Sequence, residues 1–278
     1  MRLATIGAVA LLGVGCAELG VVGDGTSISI GKPQRGRIVD GARIPDRGEG
    51  FVTRDTWKSR GNRYATDELV DLLVAVSRRM ATRVKQRIVI ADLSARGGGE
   101  AHQWHASHQS GRDVDLLYYV RDRAGTPVEP DAMRVFTADG VAKDGSGYTV
   151  DVPRMWLLAR ELITAPEAPV QWMFIFEPLA ARIIAYARSI DEPEAVVAKV
   201  RLALRQPGNG APHHDHMHVR VYCAKTDRAY GCLDIGPMEL MQERDGEQAA
   251  AVEPAQRAAK TDLRSIGRLV RAHKLRRR

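Results

Sequence analysis

Between positions 65 and 80, apolar residues fall at 69, 70, 72, 73, 76 and 80, the spacing of one buried helical face. Thr66 stands just before them and Asp67 and Glu68 fill the first turn, so a helix is predicted over about 66–84. Residues 87–93 are β-branched and apolar and read as a buried strand, as do 113–120 and 170–176. Turn signals at Asp139-Gly140 and at 144–147 predict a hairpin over 134–151. Pro153 opens a short helix to 164, and two more helices are expected at about 178–189 and 193–205. From 214 to 222 the pattern alternates, with His214, His216, His218 and Arg220 set against Asp215, Met217, Val219 and Val221. That is a strand with two unlike faces. Strands and helices mix without a regular βαβ repeat. The expected class is therefore α+β, a single domain with a central, largely antiparallel sheet flanked by helices.

The ends read differently from the body. Met1-Arg2 and the apolar stretch 3–14 have the form of a secretory signal over residues 1–16. Cys16 closes it in the manner of a bacterial lipoprotein signal, so lipidation of Cys16 and anchoring to the outer membrane are weighed against ordinary cleavage nearby. Residues 17–50, rich in Gly, Ser, Arg and Pro, read as a linker or an arm over the domain; 51–240 would be the domain itself and 241–278 a tail. The net charge of +7 is concentrated in that tail: residues 255–278 carry nine Lys or Arg and one acid. With Leu263, Ile266, Leu269 and Val270 at helical spacing, the tail could dock on an anionic wall polymer or a membrane surface. Export argues against nucleic acid as its partner. Past residue 20 no apolar run approaches the roughly 20 residues of a membrane span.

Seven of the eight histidines lie in two clusters, His102, His105 and His108, then His213, His214, His216 and His218. Imidazole is the commonest zinc ligand, and a catalytic zinc needs three protein groups and one open position. Neither cluster suffices alone; together with Asp115 they exceed the need, which points to a zinc hydrolase. His216 and His218 share a strand face about 7 Å apart, so one could bind metal while the other reaches the reacting water or substrate oxygen. Asp113 and Asp115 are likewise two apart. Cys223 and Cys232 read as a disulfide in an exported chain, with metal-binding thiolates as the rival.

The run from His108 through Gln-Ser-Gly-Arg-Asp-Val to Asp115, followed about a hundred residues later by His216-Met-His218, resembles the zinc site of the penicillin-insensitive murein endopeptidases. These belong to a wider group that includes lysostaphin-type and D-Ala-D-Ala peptidases. The likeness extends through Asp92-Leu-Ser, His105-Ala-Ser-His108, Pro212-His213 and the cysteine pair, over roughly residues 30–235. It implies His108, Asp115 and His218 as zinc ligands, His216 as catalytic base or transition-state stabiliser, and His213 as a further active-site histidine. His105 would match a residue able to hold a second metal, for which Asp151 is a weaker candidate; His102 and His214 have no implied role. The implied activity is periplasmic hydrolysis of D-alanyl–diaminopimelyl cross-links in peptidoglycan, with no serine nucleophile. Set against it are a carboxypeptidase trimming terminal D-alanine and a non-catalytic wall-binding lipoprotein.

Overall fold

The computed structural model describes residues 24–100, 105–208, 210–241 and 245. The signal, Cys16, His102 and the basic tail lie outside the described residues. The chain forms two units, residues 1–235 and 236–278. In the described part of the second, a helical turn begins at Glu239 and the Met241 amide donates to the Met238 carbonyl.

In the first unit, the principal elements are β1 (Ile28–Lys32), β2 (Arg35–Val39), α1 (Asp67–Ala81), β3 (Asp113–Leu117), α2 (Val152–Ile163), β4 (Val170–Phe174), α3 (Glu177–Ser189), α4 (Glu194–Ala203), β5 (Leu204–Arg205) and β6 (His216–Val221). Four of the strands make the central sheet, in the order β5-β4-β6-β3. β6 runs antiparallel to both neighbours, and only the two-residue β5 pairs parallel. The fold is α+β, as the pattern predicts.

Alternation along these strands produces two faces of opposite chemistry. Val114, Leu116, Met173, Met217 and Val219 are fully buried on one face, with α2 and α4 against β4. On the other face the ladder sets His218 opposite both Asp115 and Phe174, and Arg220 opposite Asp113. Beyond the outer edge of β3, the Ala91 amide donates to the Asp115 carbonyl and the Asp115 amide to the Asp92 carbonyl. Asp92 is thereby held beside Asp115.

Several elements differ from the sequence pattern. Helix α1 stops at Ala81, where the Arg83 and Val84 amides turn back onto the Met80 carbonyl. Thr66 is its N-cap residue but makes no side-chain cap bond; the Asp67 amide donates to Ser27 Oγ instead, while the Ser27 amide donates to Asp67 Oδ2. This reciprocal pair ties residues 24–27 to the helix start, and β1–β2 follows as a regular hairpin within 17–50. The predicted strand over 87–93 is regular only at Ile88–Val89. The expected 134–151 hairpin is reduced to single bridges, Phe136 with Ala142 and Val141 with Thr149. Its last residues, Thr149–Val150, pair with Val120–Arg121 in a separate small sheet. Asp151 caps α2 through the Arg154 amide and pairs with Arg121 and Arg154, so its carboxylate is committed to that role.

Cys223 and Cys232 form a disulfide with Cα atoms 6.0 Å apart, which excludes the thiolate reading. Two residues beyond the closed loop, Asp234 Oδ1 accepts from the Cys223 amide (2.9 Å) and from the buried Arg112 guanidinium (2.8 Å). Closing a loop of this size restricts the unfolded chain by roughly 2–3 kcal/mol. Replacing both cysteines by serine should lower unfolding free energy by about that amount in denaturant titrations.

Candidate metal centre

His108 sits at the end of the loop before β3, with a left-handed backbone (φ 69°) that is uncommon for a residue other than glycine. Two bonds hold it there: its amide donates to Asp113 Oδ2 (3.1 Å) and its ring Nδ1 lies 2.9 Å from the Leu93 carbonyl. A carbonyl only accepts, so Nδ1 carries the proton and Nε2 presents a lone pair. That lone pair faces Asp115 Oδ1 at 3.2 Å and His218 Nδ1 at 3.3 Å. His218 Nδ1 in turn stands 3.2 Å from Asp115 Oδ1. Three donor atoms thus form a nearly equilateral triangle at the centre of the sheet face.

Asp113 organises this triangle from behind. Its Oδ1 lies 3.0 Å from His218 Nε2 and accepts from Arg220 Nε at 2.6 Å. Accepting the His218 Nε2 proton leaves His218 Nδ1 unprotonated toward Asp115. Burial opposes ionisation of Asp113 most strongly, but Arg220 and His218 outweigh it and hold this carboxyl well below the usual range. Both Asp115 oxygens are buried and have no hydrogen-bond partner. A fully buried carboxylate facing two imidazole lone pairs, without a hydrogen bond, fits a cation between them.

The other histidines surround the triangle. His216 Nε2 is 3.3 Å from Asp115 Oδ1, while its Nδ1 is fixed by Asp215 Oδ1 at 2.8 Å. Burial would lower its pKa, but Asp115 and Asp215 raise it to about 10. His213 has the same left-handed backbone (φ 50°), its carbonyl accepting from the Tyr118 hydroxyl and the Phe176 amide. Burial first, then the neighbouring imidazoles His218 and His216, lowers His213 to about 4, so it is neutral at pH 7. Its ring centroid lies 5.0 Å from that of His216. His105 Nε2 contacts Asp92 Oδ2 at 3.0 Å and its Nδ1 lies 3.7 Å from Asp115 Oδ2; Arg60 completes the chain on Asp92 at 2.6 Å. His214 packs edge-on against Phe176 and lines the cleft without joining the cluster.

The ligand atoms of His105, His108 and Asp115 lie within 4.8 Å of one another, and so do those of His213, His216 and His218. The two groups meet across the His108–His218 contact, so the clusters a hundred residues apart in sequence become one site. It opens into a cleft of about 640 Å³, walled by Phe174, Met133, Gln34, Pro207, Gly210 and Ala211. Sequence reasoning left Asp113, Arg220, Asp92, Arg60 and Phe174 without roles. For Asp113 a signal existed, its two-residue offset from Asp115 on one strand face.

A profile of the family described as penicillin-insensitive murein endopeptidase matches residues 29–264. Proteins named penicillin-insensitive murein endopeptidase from Escherichia coli O1:K1, strain SMS-3-5 and strain S88 are each 26% identical to this chain over 202 residues, covering 72% of it and 68% of the relative. The matched span begins in β1 and includes every residue of the cluster. The chain belongs to the penicillin-insensitive murein endopeptidase family.

Proposed function

We propose that the protein is a zinc-dependent peptidoglycan endopeptidase that hydrolyses D-alanyl–diaminopimelyl cross-links between stem peptides. The observation that carries this reading is the triangle of His108 Nε2, Asp115 Oδ1 and His218 Nδ1, with sides of 3.2–3.3 Å. Donors sharing one tetrahedral zinc at 2.0–2.1 Å stand about 3.3 Å apart. Two imidazoles and one carboxylate also leave a fourth position for water, as catalytic zinc sites do.

A zinc ion held there supplies a Lewis acid that makes water nucleophilic near neutral pH and polarises a carbonyl. The chain's own residues do the rest. Leu93 and Asp113 fix the tautomers of His108 and His218, as outer-shell partners of metal-binding histidines do. With the charge of Asp115 answered by the metal, the pull that keeps His216 protonated would weaken, and His216, oriented by Asp215, would take the proton from the attacking water, deliver it to the leaving amine and stabilise the oxyanion. Neutral His213, beside His216, assists this transfer as donor or acceptor. His105 Nδ1 and Asp115 Oδ2, 3.7 Å apart, outline where a second metal would bind.

Replacing Asp113 by Asn keeps the shape but removes the charge that orients His218. Zinc affinity should fall about 10–100-fold, read by competition with a chromogenic chelator. The bond specificity is tested on purified cross-linked dimers: mass spectrometry should find two monomers, split at the D-alanyl–diaminopimelyl amide. Release of free D-alanine with the cross-link intact would instead establish a carboxypeptidase. Such a substrate would put the protein in the periplasm, which agrees with the expectation of a signal over residues 1–16 and of lipidation at Cys16. Among the described residues no helix is long and apolar enough to cross a membrane.

A further inference from the structure

The β1–β2 hairpin puts three cations on one face. Its register pairs Lys32 with Arg35 and Ile30 with Arg37, while Ser29, Gly31, Gly36 and Ile38 occupy the opposite face. That inner face is seated: Ser29 and Ile38 are buried, Ser29 Oγ donates to the Ser110 carbonyl, and a Cβ on Gly36 would come within 2.7 Å of Ser110 Cβ. Lys32, Arg35 and Arg37 therefore point outward, and all three are exposed. Among the described residues none of them makes an ion pair or a side-chain hydrogen bond. The hairpin carries no acid of its own.

Like charges directly opposite on a hairpin are destabilising. Protection of a bare strand edge does not account for them, because both edges are engaged: Gly31 bridges to Cys232 and Arg37 to Gly98. The position of the turn supplies a reason. Gln34, between Lys32 and Arg35, lines the cleft of the metal centre, and the Pro33 carbonyl accepts from the Gln109 amide next to His108. The cationic face thus begins at the wall of the cleft and leads away from it.

We infer that this face is a docking surface for the carboxylates of peptidoglycan stem peptides lying outside the cleft. The inference rests on the proposed substrate. Such peptides present closely spaced carboxylates along a strand too long for the cleft to hold, which matches three unanswered cations continuous with its rim. The surface would hold the polymer near the site and add long-range attraction at low salt.

The test is co-sedimentation of the full chain with purified sacculi, with chelator present to stop any cleavage, so that binding is read whether or not the protein proves to be an endopeptidase. A Lys32→Gln/Arg35→Gln/Arg37→Gln variant relieves the cross-strand repulsion and should melt no lower than the parent. It should bind sacculi about tenfold more weakly at low ionic strength, as loss of three exposed charge pairs predicts. It should also show a shallower loss of binding as salt is raised. The unaltered protein should bind sacculi with amidated carboxyl groups as weakly as the variant binds untreated ones. Equal binding by variant and parent overturns the inference, as does undiminished binding to amidated sacculi. Capture by anionic phospholipid vesicles through these three residues, without capture by sacculi, overturns it in favour of a lipid surface.

Discussion

Replacing His218 by Ala should abolish peptidoglycan cleavage and zinc binding together. His218 supplies one corner of the donor triangle through Nδ1, and it is fully committed: Nε2 is spent on Asp113, and the ring packs against His108, Phe174 and His213. The neighbouring imidazoles are held in their own positions, His216 by Asp215 and His213 by the Ala211 carbonyl. The loss should exceed the roughly 100-fold that removal of an outer-shell partner costs. The variant also leaves Asp113 with only Arg220 and the His108 amide and opens a small cavity, so it should lose a further 1–3 kcal/mol of stability. Folding checked by circular dichroism separates the two effects: a folded variant with neither zinc nor activity is the expected result.

His216→Ala should behave differently. Here the expected outcome is a 10²–10⁴-fold fall in kcat, the range typical of a lost general acid–base, with zinc content near that of the parent protein. The structure makes this split informative. His216 Nε2 is as close to Asp115 Oδ1 as His108 and His218 are, at 3.3 Å against 3.2 Å for each, so distance alone would allow it to be a ligand. Its place at the cleft sets it apart: its side chain keeps 16% exposure, against 1% for His108 and 6% for His218, so it is the imidazole of the three most open to a substrate. If zinc is lost from His216→Ala as completely as from His218→Ala, His216 is a ligand and the proton must move through His213.

Much of the site was legible because it rides on regular structure. The two-residue period of β6 placed His216 and His218 on one face, and the same period placed Asp115 with Asp113 on β3. The pairing between those strands, which sets His218 against Asp115 and Arg220 against Asp113, was not legible from periodicity. Period fixes which face a residue occupies, but register between strands a hundred residues apart is set by packing and by the connecting loops. Asp113 and Arg220 went without roles for that reason, since each acts only through a cross-strand partner. Asp92 was invisible for a related one: it reaches Asp115 from a segment that runs beside β3 with few ladder bonds, so no strand pattern marks it. The N-terminal segment is a different case. Glycines and prolines suggested a linker or arm, yet in the hairpin Gly31 takes a φ of 79° and Gly36 permits the close approach to Ser110. Composition there reflects tight packing.

The central claim is that His108, Asp115 and His218 hold a zinc ion on which cleavage of the cross-link depends. One measurement tests it most directly: zinc per chain determined on the same sample whose products from cross-linked sacculi are separated by muropeptide chromatography. It should be run before chelation, after it, and after zinc is restored. At least one zinc per chain and release of monomers are expected, both lost on chelation, both regained with zinc, and both absent from His218→Ala. Undiminished release of monomers by the chelated, zinc-free protein, or by a folded His218→Ala variant, would contradict it.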